Sequence, residues 1–359
     1  MPITPPPPPL SKLSLLKGFL QLLLPLLALL LLAGLTHYYT LYATERASRI
    51  SSESLNVGLA QRMINSDIDA VVSDLLFLAE HMQRQAVFQM QQSLRLERIG
   101  LEFLVFADKK GLYDQIRYID QEGMEVVRIN YNNGHPTIIP PQALQDKNSR
   151  YYFREAMQLN PGEIYISPLD LNIEEGKIEY PLKPMMRFAT PVFDHMAKQR
   201  GIILLNYLGD RLIDNFRHAA ANISDHIQLV NKQGFWLTGP DSQDNWGFMF
   251  GNDKTFGKRY PGAWDLIRTS ASGQFEAAGG LFTFTTVDPV HAVLHPTPGQ
   301  LRQAPSIAAP AARYWKIISH IPADELHSTL PLFIRRHWAL YLTMFLLMTL
   351  GSALLAQSH

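Results

Sequence analysis

The stretch QIRYIDQEGMEVVRINY, Gln115–Tyr131, is two runs of alternating apolar and polar residues that meet at Asp120-Gln-Glu-Gly123. Alternation with a period of two is the mark of a half-buried strand, and turn residues with a glycine between two such runs predict a hairpin. The pattern recurs at HIQLVNKQGFWLTG, His226–Gly239: apolar strand, Asn or Asp, two polar residues, Gly, apolar strand. Gly123 pairs with Gly234 at an offset of 111, and GEIYIS at Gly162 pairs with GQFEAA at Gly273 at the same offset. FATPVF (Phe188–Phe193) matches FTFTTV (Phe282–Val287), and GIILLNYLGDRL (Gly201–Leu212) parallels WKIISHIPADEL (Trp315–Leu326) at an offset of 114. Four matched elements in one order predict two related α+β modules, each an antiparallel sheet with helices on one face.

Upstream of the first hairpin, residues 40–105 hold no proline and only two glycines, Gly58 and Gly100. Val71, Leu75, Leu78 and Met82 recur at helical spacing, so this region reads as a long stalk helix, or as shorter helices broken at the glycines. Asp67, Asp69 and Asp74 read as its solvated face. Before the stalk lies FLQLLLPLLALLLLAGL (Phe19–Leu35), and WALYLTMFLLMTLGSALLA (Trp338–Ala356) follows the second module. Each approaches the roughly 20 apolar residues that span a bilayer, and Pro25 is tolerable there. The first run exceeds the about 7–15 apolar residues of a cleaved signal, and Tyr38 and Tyr39 suit an interfacial anchor.

Lys12 and Lys17 predict a cytoplasmic N-terminus. Arg335 and Arg336 run against that bias, but long domains translocate largely regardless of flanking charge, so the first helix decides. The expected order is a Pro-rich cytoplasmic tail (1–17, with Pro5–Pro9), a transmembrane helix (18–36), the stalk (37–105), a membrane-distal module (106–215), a membrane-proximal module (216–337) with a loose insertion at 288–312, and a second transmembrane helix (338–356). Residues 37–337 are then extracytoplasmic in a two-pass protein.

Composition narrows the function. The 359 residues carry 32 basic and 32 acidic side chains, with no basic surplus for a nucleic-acid partner. The absence of cysteine excludes disulfides, thiolate metal sites and a Cys nucleophile. No nucleophile elbow, phosphate loop, zinc signature or kinase motif is found, so neither catalytic residues nor a cofactor is expected. His291 and His295 have i,i+4 spacing, but they sit beside Pro296 without the Glu of HExxH, and no metal site is expected.

The ordered set YDQIRYIDQEGMEVVRINY, DKNSRYYFREA, GEIYISPLDLN, KPMMRFATPVF, GIILLNYLG and WGFMFG with GLFTFTTV resembles the double Cache (dCache) extracytoplasmic sensor domains. These occur in bacterial histidine kinases, diguanylate cyclases and chemoreceptors. The resemblance implies two tandem PAS-like modules behind a long N-terminal helix, placement in the bacterial inner membrane, a homodimer, and a small ligand in the membrane-distal module. In amino-acid-binding members an Arg followed by aromatics grips the carboxylate, and an Asp on the last distal strand holds the amine. Arg150, Tyr152 and Phe153 match the first pattern, and Tyr165 falls near a further pocket tyrosine. Asn206 stands where the Asp would be, and its dipole offers an ammonium less than a carboxylate would.

The residues themselves support part of this. Ser149 as N-cap and Asn160-Pro161-Gly162 as a stop predict a helix over Arg150–Leu159. GEIYIS puts Ile164 and Ile166 on one face and Tyr165 and Ser167 on the other. Arg150 could fork onto a carboxylate, and Arg128, on the hairpin strand, and Arg187, opening the strand FATPVF, are further candidate cations. The expected function is a non-enzymatic sensor for a small anionic or carboxylate-bearing ligand. The sequence ends at His359, three residues past the second apolar run, so the expectation is either a truncated sensor half or output through a separate kinase or diguanylate cyclase. The alternative is an accessory membrane protein with an assembly role and no signalling.

Overall fold

The computed structural model describes residues 12–84, 88, 90–132, 134–174, 176–289, 314–326 and 329–358. The Pro5–Pro9 tail and most of the 288–312 insertion, with His291 and His295, lie outside the described residues. The chain divides into two compact units, one of residues 1–52, 278–281 and 321–359, the other of residues 53–277 and 282–320.

Helix α1 (Lys12–Arg84) runs without a break through Gly58, and α2 (Gln92–Lys110) runs through Gly100. The expected stalk is therefore two helices, one ending at Arg84 and the other beginning at Gln92, and neither glycine is the break. A mid-helix glycine costs only about 1 kcal/mol, which burial of the adjacent Val57, Ala60 and Ile99 outweighs. Helix α2 stops where sequence logic puts a stop, at Gly111 in the left-handed conformation, whose N–H closes on Ala107 O.

In the larger unit, α1 buries Val57, Ala60, Ile64, Ile68, Val71, Leu75, Leu78 and Met82, one stripe at spacings of three and four. Asp67 and Asp74, i and i+7, flank this stripe, Asp74 buried and Asp67 half-buried, so the expectation of a solvated face fails for both. Asp74 accepts from Tyr113 Oη at 2.6 Å and pairs with Lys110 at 2.7 Å, and Asp67 accepts from Asn215 at 3.0 Å. A buried carboxylate persists only with such partners.

Fourteen strands are described among these residues. The first module supplies β1 (Tyr113–Asp120), β2 (Glu125–Asn132), β3 (His135–Ile138), β4 (Tyr165–Ile166), β5 (Asp170–Leu171), β6 (Ile173–Glu174), β7 (Lys177–Ile178), β8 (Pro184–Phe193) and β9 (Gln199–Leu208). The second supplies β10 (Ile227–Asn231), β11 (Trp236–Thr238), β12 (Ser272–Ala277), β13 (Gly280–Val287) and β14 (Trp315–Pro322). The first sheet is ordered β3-β2-β1-β9-β8-β4, with β5 also on β8, and the second β11-β10-β14-β13-β12. Without the edge strand β3, both follow one scheme, with second, first, fifth, fourth and third strands side by side. The repeat in sequence is a repeat in topology.

The shared hairpin motif has a physical cause. Asp120 Oδ1 accepts from the N–H of Glu122 and Met124, and Gly123, at φ 93°, closes the turn onto Asp120 O. Asn231 does the same for Gln233, Phe235 and Gly234, with Gly234 at φ 86°. An Asx side chain caps the turn, and positive φ favours glycine at its fourth position. GEIYIS contributes less than expected, since only Tyr165 and Ile166 join the sheet.

In the smaller unit, the start of α1 and the C-terminal helix Thr329–Ser358 are both long and apolar enough to cross a membrane, and their most apolar windows are only 6% buried. His37 Nδ1 lies 2.9 Å from Tyr341 Oη, and Tyr341 also packs at the Cα of Gly34, 3.5 Å from where a Cβ would stand.

Candidate ligand-binding site

Each strand of the first sheet has two faces. Ile116, Val127, Ile129, Phe188 and Leu205 lie in the core with α1. The opposite face carries a polar row set by strand register, with Asn130 across from Gln115, Gln115 from Asn206, and Asn206 from Arg187. The next row runs Arg128, Arg117, Leu204, Ala189, Tyr165. The polar ends of these rows floor a cavity of about 510 Å³. Its walls come from Gln145 and Lys147 of the loop after β3, Arg150, Tyr151 and Tyr152 at the start of α3 (Tyr151–Met157), and Asp170 to Glu174.

A local irregularity assembles its charge. Glu125 pairs with Ile119 and Val127 with Tyr118, which leaves Val126 as one extra residue in β2. Residues three apart on a regular strand face opposite ways, but this bulge brings Glu125 onto the face of Arg128. The fully buried Glu125 carboxylate then meets Arg128 at 2.8 Å, Arg117 at 3.2 Å and Lys147 at 3.9 Å. Three cations share one carboxylate. Across the floor, Arg187 binds Asp170 at 3.0 Å and Asn172 at 3.2 Å, and lies 6.0 Å from the centre of the Tyr152 ring. Arg150, exposed at the same cavity, forms no ion pair among the described residues.

Burial pushes the Lys147 ammonium down to about 8, and the charge on Arg117 adds to this. The buried Asn206 donates to Gln115 Oε1 at 3.2 Å, while its own Oδ1, like that of Asn130, has no hydrogen-bond partner among the described residues. An unpaired buried acceptor costs about 1–3 kcal/mol, so the floor offers acceptors to a ligand's hydroxyl or ammonium as well as cations to its anionic end.

Of the seven residues singled out from sequence, Arg128, Arg150, Tyr152, Arg187 and Asn206 line this cavity. Phe153 and Tyr165 do not. They pack with Tyr152, Ala189 and Leu204 in an apolar cluster behind the wall. The helix begins one residue later than expected and ends two earlier. Arg150 is its N-cap, Ser149 makes no capping bond, and the Ser149 carbonyl instead accepts from Arg154 at 2.6 Å. Arg187 sits inside β8 rather than opening a strand.

Sequence reasoning missed Gln115, Arg117, Lys147, Asp170 and Asn172. Gln115 and Arg117 left a signal, two polar residues alternating with Ile116 and Tyr118. Lys147 left none, because the loop returns to the sheet only through long-range contacts. Its N–H bonds Gly123 O at 2.7 Å, and a Cβ on Gly123 would stand 2.6 Å from Asn148 Cα.

Fold and cavity together place the chain among mixed helix-and-sheet sensor domains. It belongs to the bacterial histidine kinase sensor domains, whose family model matches residues 61–293. Among curated proteins none matches the chain. Two solved structures share the fold at a TM-score of 0.62. One is a domain assigned to the sensory box/GGDEF family from Vibrio parahaemolyticus, 20% identical over 78% of this chain and 99% of that one. The other is the extracellular domain of vpHK1S-Z8, assigned as a histidine kinase, 21% identical over 80% and 96%. The ligand-binding domain of Campylobacter jejuni chemoreceptor Tlp3 in complex with 4-methylisoleucine is similar at a TM-score of 0.54, 9% identical over 79% and 95%.

Proposed function

We propose that the chain is the sensing part of a two-pass receptor of the bacterial inner membrane, with residues 37–337 periplasmic, and that a small carboxylate-bearing ligand occupies the cavity of the first PAS-like module. The observation that carries this reading is the shared Glu125 carboxylate, buried among three cations, which leaves positive charge uncompensated on the floor of a partly enclosed cavity, where an anion gains more than it would in open water. Arg150 supplies a fork for the carboxylate, with Arg128, Arg187 and Lys147 beside it. Tyr152 packs on the ligand body, with Phe153 and Tyr165 supporting it from behind, and Asn206 accepts from a hydroxyl or ammonium. Tlp3, of similar fold, takes an amino-acid-like ligand. Here Asp170 is engaged by Arg187, so an ammonium would rely on amide oxygens, which favours hydroxy acids and simple carboxylates.

Binding would bias α1, whose buried stripe shares one core with the other face of the same sheet. The signal can be no larger than the ligand's differential affinity for the two packings of α1. A homodimer passing the change to a kinase or cyclase output completes the reading.

Thermal unfolding of the full chain in detergent against a panel of carboxylates, amines and nucleobases tests it. Ligand at 100 times its Kd adds about 2.7 kcal/mol of stability. A carboxylate that raises Tm in the wild type and not in Arg150→Ala supports sensing. No shift with any carboxylate overturns it in favour of an assembly role.

A further inference from the structure

Arg335 and Arg336 stand immediately before the apolar run that opens at Trp338, on the side of the membrane where cations are disfavoured in the reading above. The structure gives them a setting. A cavity of about 360 Å³ opens in the smaller unit, and both arginines line it. Its wall is aromatic. Tyr38 meets Phe333 at 5.4 Å between ring centres, Phe333 meets His337 at 5.0 Å, and Tyr38 stacks on Tyr42 at 6.2 Å. Neither guanidinium forms an ion pair or hydrogen bond among the described residues, and Glu45 is the one carboxylate in the lining. Two cations face one anion at the edge of two segments whose apolar windows are almost wholly unburied within the protein.

We infer that this cavity binds the headgroup of an anionic glycerophospholipid. The guanidinium forks suit a phosphodiester. The aromatic rings, apolar in body and polar at the tip, suit the glycerol level of a bilayer. Glu45 is an acceptor for a headgroup hydroxyl, which phosphatidylglycerol has and phosphatidylcholine lacks. The inference rests on the two-pass reading but is independent of what fills the sensor cavity.

Native mass spectrometry of the full chain, released from micelles doped with phosphatidylglycerol or phosphatidylcholine, tests it. Phosphatidylglycerol should be retained preferentially. Joint Arg335→Gln and Arg336→Gln substitution should weaken that retention about thirtyfold, roughly fivefold for each charge near a membrane surface. Equal retention of the two lipids, retention unchanged in the double variant, or full displacement of the lipid by equimolar inorganic phosphate overturns the inference. Carbonate extraction of membranes separates it from the reading it rests on. A chain that washes off sinks both, whereas a chain that stays embedded without lipid preference sinks this inference alone.

Discussion

Lys147 is the residue on which the sensor cavity turns. Its ammonium is buried beside Arg117 and Arg128 and, with a pKa near 8, loses its proton far more readily than an ordinary lysine. Below that pH the cavity carries this charge; above it the charge goes. Affinity for an anionic ligand should therefore be level through neutral pH and fall as pH rises past about 8. Replacing Lys147 with Met should weaken binding by about 1.5–3 kcal/mol, the worth of a hydrogen bond to a charged group. It should also abolish the fall, as titration calorimetry across pH would show; a fall that persists in the variant assigns the titration to another group.

At the scale of elements, α1 is tied to each module through buried acids. Glu53 accepts from His226 at 3.1 Å, at the start of β10, and from Ser319 in β14. Burial pulls the His226 imidazolium down, but Glu53, with Asp225 at 2.7 Å, more than reverses this and holds its pKa above the usual histidine value. Because the folded pKa exceeds the unfolded one, the stabilisation is fully present below about pH 6.5 and is lost as pH rises through the folded value. Thermal midpoints should thus be higher at mildly acidic pH than at pH 8, and His226→Gln should flatten that slope. A slope that survives the substitution removes His226 from the account.

At the scale of the molecule, the stripe on α1 packs in one cluster with Ile116 and Phe188 of the first sheet and with Leu229 and Ile317 of the second. The modules are repeats, and although each keeps an apolar cluster of its own, they share the one core built along α1. Leu75→Ala should cost about 2–5 kcal/mol and shift the unfolding of both modules together. Of the five tryptophans, Trp236, Trp246, Trp264 and Trp315 belong to the second module and Trp338 to the terminal helix, so fluorescence reads the second. Hydrogen exchange along β1 and β9 reads the first, and two separated transitions would contradict a common core.

What could be read in advance follows the range of the forces involved. The twin hairpins were legible because Asp120 and Asn231 act within four residues of themselves, and the apolar end segments because composition alone marks them. Arg150, Arg128, Arg187 and Asn206 were legible as polar groups in telling places. The place of Glu125 was not, since it depends on one extra residue in β2, and the burial of Asp74 depends on partners far away in sequence. Alternation separated Tyr165 from the α1 core, yet could not say that a second apolar layer under α3 awaited it.

The sharing of Glu125 among three cations has a further consequence. A cavity with surplus positive charge attracts a counter-ion, so an anionic ligand of the kind proposed would compete there with chloride or its like. Binding would then be an exchange of one anion for another. Its apparent affinity would follow the ratio of ligand to background salt, weaker in brackish water than in fresh.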